Sequence, residues 1–119
     1  MKQEAKLREA VLGARNRGVR VTRGAMFDWT GAGDEKLVSC DATGAVLLLM
    51  GSPWPRAGWL KATCSFLETD SFWLWRFWMG WNRNRQLQAW VGDDSTGRWI
   101  DDDVSHMGRR LAKSLEVSW

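Results

Sequence analysis

Five carboxylates within eleven residues are the first group in the sequence that could do chemistry, as a site for a hard cation. Mg²⁺ and Ca²⁺ prefer oxygen ligands. A calcium-binding loop that begins at the first of them needs glycine at position 6 and glutamate at position 12, whereas Gly97 falls at position 5 and position 12 is not Glu. The first pair would begin a turn, and the triplet would stand at a helix N-terminus, where the helix dipole favours acids. Each group of acids therefore has a local structural role. We therefore predict structural roles and no metal for Asp93, Asp94, Asp101, Asp102 and Asp103.

Nucleophilic catalysis would have to use the two cysteines, Cys40 and Cys64, with the single histidine, His106. A Cys–His pair needs a stabilised thiolate and a third group that orients the histidine. Both cysteines stand among apolar neighbours, which raise the pKa of a thiol and make it unreactive. The sequence contains neither a nucleophile-elbow serine nor a glycine-rich phosphate loop. We predict two reduced, buried thiols, no catalytic residue and no cofactor.

A basic cluster near the N-terminus is a candidate nucleic-acid interface. Residues 1–26 carry seven Lys or Arg and two Glu, a net charge of +5. Four of the arginines lie where the first helix gives way to a strand: Arg15, Arg17, Arg20 and Arg23. Arginine neutralises phosphates, and tryptophan stacks on bases. The whole chain carries only +3, so a solvated basic face is the competing interpretation.

Tryptophan is the unusual component of the composition, with ten Trp and no Tyr. As a helix, the segment Ser71–Trp81 places Trp73, Phe77 and Trp81 on one line and is apolar nearly all round. Ten Trp and four Phe in 119 residues would overfill one core, since each buries ~150–250 Å². We expect at least two indoles to stay about half exposed. Exposed Trp near Arg is typical of interface hot spots, and the predicted partner-binding residues are Trp54, Trp59, Trp75, Arg76, Trp78 and Trp81.

The elements that must position these residues follow from periodicity and turn signals. Leu7, Ala10, Val11 and Ala14 share one face of a first helix. We predict a single α+β domain over residues 1–119, with residues 24–35 as a loop and 41–44 as a turn. The predicted helices are 3–17, 57–68, 71–81 and 103–116. The predicted small antiparallel sheet uses 19–23 and 36–40, with 45–50 and 86–91 as further candidates. The run 45–50 could instead begin a buried helix, and periodicity does not decide between the two.

The composition is that of a soluble domain, with 45% apolar and 26% charged residues. The N-terminus is charged throughout and lacks the apolar core of a signal peptide. The apolar runs fall far short of the ~20 residues that a membrane-spanning helix needs. We predict a cytoplasmic protein that does not contact membranes.

Three short patterns resemble a set of small bacterial and phage proteins to which no activity is attached. They are Cys40-x4-Ala45-x-Leu47-Leu48, then Trp73-x3-Phe77-x2-Gly80-Trp81, then Gly108-x2-Leu111. The resemblance covers residues 37–112 loosely. It implies a prokaryotic or phage origin and a compact, helix-rich domain, and it carries over no functional residue.

These observations favour a non-enzymatic protein-interaction module that binds a partner or forms a homo-oligomer through a Trp- and Arg-rich surface. The alternative is a nucleic-acid-binding accessory protein that uses the N-terminal arginine cluster. A small enzyme or ligand binder with an unrecognised site is the second alternative, which a deep polar pocket would support.

Overall fold

The protein has an α+β fold, seen in a computed structural model that describes residues 2–29, 36–51, 57–82 and 103–118. The described part contains five helices and a three-stranded mixed sheet. In chain order these elements are α1 (Lys2–Asn16), β1 (Arg20–Val21), β2 (Phe27–Trp29), β3 (Leu37–Cys40), α2 (Ala42–Leu49), α3 (Trp59–Leu67), α4 (Ser71–Trp81) and α5 (Asp103–Ser114). The four predicted helices are α1, α3, α4 and α5, each close to its expected bounds; α2 is the additional one. The candidate strand 86–91 lies outside the described residues.

The sheet is mixed, so the prediction of an antiparallel sheet is wrong. Its strand order is β1-β3-β2. β1 runs parallel to β3, with Arg20 opposite Ser39, while β2 is antiparallel to β3, with Phe27 opposite Cys40. β2 lies within the segment expected to be a loop. It is three residues long and is defined by its pairing with β3. No local sequence pattern predicts that pairing.

Residues 45–49 belong to α2, with Met50 as its C-cap, rather than to the second arm of a hairpin. The predicted turn at 41–44 is the start of α2, because the Asp41 side chain accepts a hydrogen bond from the Gly44 amide at 2.8 Å and caps the helix. Gly44 permits a close approach, since a Cβ there would overlap the carbonyl oxygen of Met26. Residues 42–47 are all buried, which is why no amphipathic period marks this helix.

The core joins α1 to the α4–α5 pair. All four apolar residues of the predicted α1 stripe are fully buried. On α4, the predicted line of Trp73, Phe77 and Trp81 forms a column whose successive ring centroids are 5.9 Å apart, the first pair stacked and the second tilted. α4 and α5 make the most extensive helix contact among the described elements. One face of α4 is therefore buried in the core, while the adjacent face, which carries Trp75 and Trp78, is not fully buried.

Candidate functional site: an apolar cavity between α3 and α4

A cavity of about 420 Å³ opens between α3, α4 and the segment that precedes β2. We call it the α3–α4 cavity. Ser71, Leu74, Trp75 and Trp78 line it from α4, at the i, i+3, i+4, i+7 spacing of one helix face. From the other elements it is lined by Gly24, Ala25, Met26, Thr43, Trp59 and Leu60. None of these described lining residues is charged, and two of them carry hydroxyls.

Three of the predicted partner-binding tryptophans meet at this cavity. Trp59 comes from α3, and Trp75 and Trp78 come from α4. Two other predicted partner-binding residues, Trp81 and Trp54, are not among the described lining residues. Trp81 is fully buried and its indole Nε1–H donates to the Thr22 carbonyl oxygen at 3.0 Å, so its assignment to a surface is wrong. Trp54 lies outside the described residues.

The exposed edge of α4 is aromatic. Phe72 is 60% exposed and Trp75 43% exposed, and their rings stack with centroids 6.3 Å apart. The Arg76 guanidinium lies 5.1 Å from the Phe72 ring centroid, close enough for a cation–π contact. Trp59 and Trp78 are half-buried. Among the described tryptophans of the predicted set, only Trp75 approaches half exposure. The expectation of at least two half-exposed indoles is therefore not met by these residues.

Sequence reasoning missed the other seven lining residues, which are Gly24, Ala25, Met26, Thr43, Leu60, Ser71 and Leu74. Ser71 could have been found, since it begins the helical stripe that continues through Leu74, Trp75 and Trp78. Met26 and Thr43 could not, because they reach the cavity through the pairing of β2 and the start of α2, both of which depend on long-range contacts.

A buried carboxylate lies behind the cavity. Asp41 is 0% exposed, and its carboxylate accepts hydrogen bonds from the Gly44 amide at 2.8 Å and from Asn82 Nδ2 at 3.4 Å. Burial raises the pKa of Asp41 to about 6, and these hydrogen bonds oppose that rise because they favour the anion. No ion pair to Asp41 occurs in the described part of the chain.

The predicted arginine cluster does not form one free basic face. Arg17 Nη1 donates to the Leu48 carbonyl oxygen at 3.0 Å, near the end of α2, and Arg15 Nη2 donates to the Leu115 carbonyl oxygen at 2.6 Å, one residue past α5. Cations are favoured at helix C-termini, where carbonyl groups lack intrahelical partners. Arg20 lies exposed on β1.

The same pattern occurs at the C-terminal ends of α3 and α4. Arg23 donates to the carbonyl oxygens of Trp81 and Gly80, at 2.6 and 3.2 Å, at the end of α4. Lys6 Nζ donates to the Phe66 carbonyl oxygen at 2.6 Å, at the end of α3. The basic N-terminal segment therefore caps the C-termini of α2, α3, α4 and α5, which accounts for much of its charge without a nucleic acid.

The candidate nucleophiles are placed as predicted. Cys40 and Cys64 are both buried and unpaired. Burial raises the pKa of the Cys40 thiol to about 12, with a further contribution from the Asp41 charge, and burial also raises that of Cys64. His106 is exposed on α5, and its ring hydrogen-bonds with Arg109. The thiols are unsuited to catalysis because they stay protonated.

Of the five clustered acids, the structure describes only Asp103, which is the first residue of α5 and so stands at the favoured end of that helix dipole. Asp93, Asp94, Asp101 and Asp102 lie outside the described residues. Across the described ranges, no three His, Cys, Asp or Glu side chains group as metal ligands would.

No protein-family model matches the chain, and no curated protein or solved structure matches it either. The resemblance to small bacterial and phage proteins stays a prediction. None of the described helices combines the length and apolarity needed to cross a membrane.

Proposed function

We propose that the protein is a non-enzymatic interaction module that takes an apolar side chain of another protein chain into the α3–α4 cavity. The observation that carries this is the convergence of Trp59, Trp75 and Trp78 on one uncharged cavity. Binding energy at protein interfaces concentrates where aromatic residues line a pocket that can be fully desolvated.

The surroundings of the cavity support a protein partner. Phe72, Trp75 and Leu60 are 60%, 43% and 40% exposed, and large exposed apolar side chains that lie together mark interaction sites. The partner is either a different protein or a second copy of this chain. Because α4 carries both the exposed Phe72 and part of the cavity lining, one patch could meet its own copy about a two-fold axis, as homodimer interfaces do.

An uncharged small molecule is a second candidate occupant. The cavity volume of about 420 Å³ falls within the ~300–1,000 Å³ typical of small-molecule sites. The cavity lining is mostly apolar, whereas the sequence-based expectation for an enzyme was a deep polar pocket. The cavity therefore supports a ligand binder more than an enzyme. Nucleic-acid binding receives less support, because Arg15, Arg17 and Arg23 already donate to helix carbonyls.

Two measurements test the proposed function. Sedimentation velocity over a concentration range reports self-association, and selection from a random peptide library reports heterologous binding. We expect dimers, or selected peptides with an aromatic or aliphatic anchor, and we expect Trp75→Ala to weaken either by at least tenfold. Leu12→Ala is the matched control, because Leu12 is 44% exposed on α1 and does not line the cavity. A monomer that selects no such peptide, or binding unchanged in Trp75→Ala, would refute the proposal.

A further inference from the structure

Three helices begin at the α3–α4 cavity. Thr43 lies in the first turn of α2, Trp59 and Leu60 begin α3, and Ser71 begins α4. All four of these residues line the cavity. The first amides of a helix have no acceptor within the helix, and the helix dipole makes that end partly positive. The cavity therefore has backbone donors at its walls, although none of its described side chains is charged.

Two of these helix ends already hold a carboxylate of the chain itself. On α2, the Asp41 side chain accepts a hydrogen bond from the Gly44 amide at 2.8 Å. On α4, the Asp70 side chain accepts one from the Trp73 amide at 2.7 Å. α3 differs, because its N-cap is Gly58 and no side chain caps it.

The first-turn amides of α3 are donors without an acceptor in the described part of the chain. The first hydrogen bond of this helix runs from the Ala62 amide to the Gly58 carbonyl oxygen, at 2.9 Å. The amides of Trp59, Leu60 and Lys61 precede it, and no acceptor within the described ranges reaches them. Because Trp59 and Leu60 line the cavity, an occupant can supply that acceptor.

A buried hydroxyl of the same cavity also lacks a partner. Thr43 is 2% exposed and lines the cavity, yet its hydroxyl makes no hydrogen bond among the described residues. Unlike the unpaired Asn82 Oδ1, which is fully enclosed, this hydroxyl retains access to the cavity. Thr63, also buried in a helix, donates to the Trp59 carbonyl oxygen at 2.8 Å. Since an unpaired buried polar group costs stability, Thr43 points to an occupant that completes its hydrogen bonding.

The chemistry of the occupant follows from these three features together. An open helix N-terminus binds anions, a threonine hydroxyl donates to the same groups, and the rest of the lining is apolar. An occupant that satisfies all of them carries a carboxylate beside an apolar group. The last residue of a protein chain has both on one carbon atom, and backbone amides capture C-terminal carboxylates in other recognition sites.

We propose, resting on the function given above, that the partner enters the α3–α4 cavity with the C-terminus of its chain. The apolar side chain of its last residue lies among Trp59, Trp75 and Trp78. Its α-carboxylate accepts hydrogen bonds from the first-turn amides of α3 and from the Thr43 hydroxyl. The cavity thereby selects a charged group without a charged side chain, and an internal segment of a partner, which lacks that carboxylate, binds more weakly.

The first test compares N-acetyl-L-phenylalanine with N-acetyl-L-phenylalaninamide, two probes that differ only in the carboxylate. In calorimetric titrations at pH 7.5 we expect the acid to bind about tenfold more tightly, because its hydrogen bonds are charge-assisted. Thr43→Val removes the hydroxyl and keeps the shape, and it should lower this ratio about threefold. Thr63→Val is the matched control and should leave the ratio unchanged, because Thr63 does not line the cavity. Equal affinity for the two probes, binding of neither, or a ratio that Thr43→Val does not lower overturns the proposal.

The second test needs no variant and remains decisive if Thr43→Val does not fold. In ¹⁵N-labelled protein, the amide proton resonances of Trp59, Leu60 and Lys61 should move downfield when the acid is added and stay in place with the amide. Resonances that respond equally to both probes, or to neither, overturn the proposal. Selected peptides that bind equally well as C-terminal acids and as amides overturn it too and leave the proposed function standing, whereas a monomer that binds no peptide refutes both.

Discussion

The closest approach of α4 and α5 occurs at two glycines, and replacing either should destabilise the protein. A Cβ on Gly80 would overlap the Ser105 carbonyl oxygen and lie 2.7 Å from the Ser105 carbonyl carbon. A Cβ on Gly108 would lie 2.7 Å from the Phe77 carbonyl oxygen. In both cases the obstacle is backbone, which cannot rotate away, so the two helices must move apart.

The cost can be estimated from the required movement. Ordinary contacts of a Cβ begin at 3.4 Å, so α4 and α5 must separate by several tenths of an ångström at Gly108 and by more at Gly80. A radial gap of ~0.5–1 Å forfeits a quarter to a half of the dispersion energy across a contact, and overpacked cores lose ~1–3 kcal/mol. Alanine regains ~1 kcal/mol of helix propensity. We expect a net loss of about 2 kcal/mol for Gly80→Ala and about 1 kcal/mol for Gly108→Ala.

Urea unfolding followed by tryptophan fluorescence and by circular dichroism measures both losses. Gly13→Ala is the matched control, because Gly13 lies inside α1 and its added Cβ would meet only the flexible Leu49 side chain, at 3.0 Å. There the gain in helix propensity should leave stability unchanged or slightly higher. If Gly80→Ala is as stable as wild type, the close helix crossing is wrong; if Gly13→Ala loses as much as Gly80→Ala, the backbone obstacle does not explain the loss.

Three further predictions concern charge and burial. The pKa of Asp41 rises from 3.8 to about 6 on folding, so its charge opposes folding above pH 6. Stability should therefore increase by about 2 kcal/mol as pH falls from 7 to 4, and urea unfolding of Asp41→Asn should lack this dependence. Arg23→Gln should cost about 2 kcal/mol through its two lost bonds to helix carbonyls, whereas the exposed Arg20→Gln should stay within about 0.5 kcal/mol; equal losses would contradict the capping role. Cys40, buried and with its pKa raised to about 12, should not react with an aromatic disulfide reagent at pH 8 until urea unfolds the protein, and rapid labelling of the native state would disprove its burial.

Elements with a local signal could be predicted from the sequence. α4 spans the predicted residues because Asp70 supplies its N-cap and the aromatic spacing fixes which side faces the core. The stripe of α1 was equally readable, since polar residues alternate with it at the helical period. The part of the cavity built on α4 follows from the same periodicity.

Elements whose identity depends on distant contacts could not be predicted. α2 is apolar on every side, and the contact that distinguishes it from a strand, Gly44 against the Met26 carbonyl oxygen, joins residues of different elements. β2 has three residues and is defined by its pairing with β3. The arginine cluster could be recognised from the sequence as a run of positive charge. Its capping role could not be predicted, because the helix ends that its members cap lie 31 to 100 residues away in the chain.

Those helix caps have a consequence for synthesis on the ribosome, where the basic segment emerges before the helices whose ends it caps. Arg17 reaches a carbonyl 31 residues later in the chain, Arg23 one 58 residues later, Lys6 one 60 residues later and Arg15 one 100 residues later. Each cap can form only after its carbonyl has left the exit tunnel, so the helices are completed in the order α2, α3, α4 and α5. Until residue 115 emerges, Arg15 still lacks its carbonyl partner.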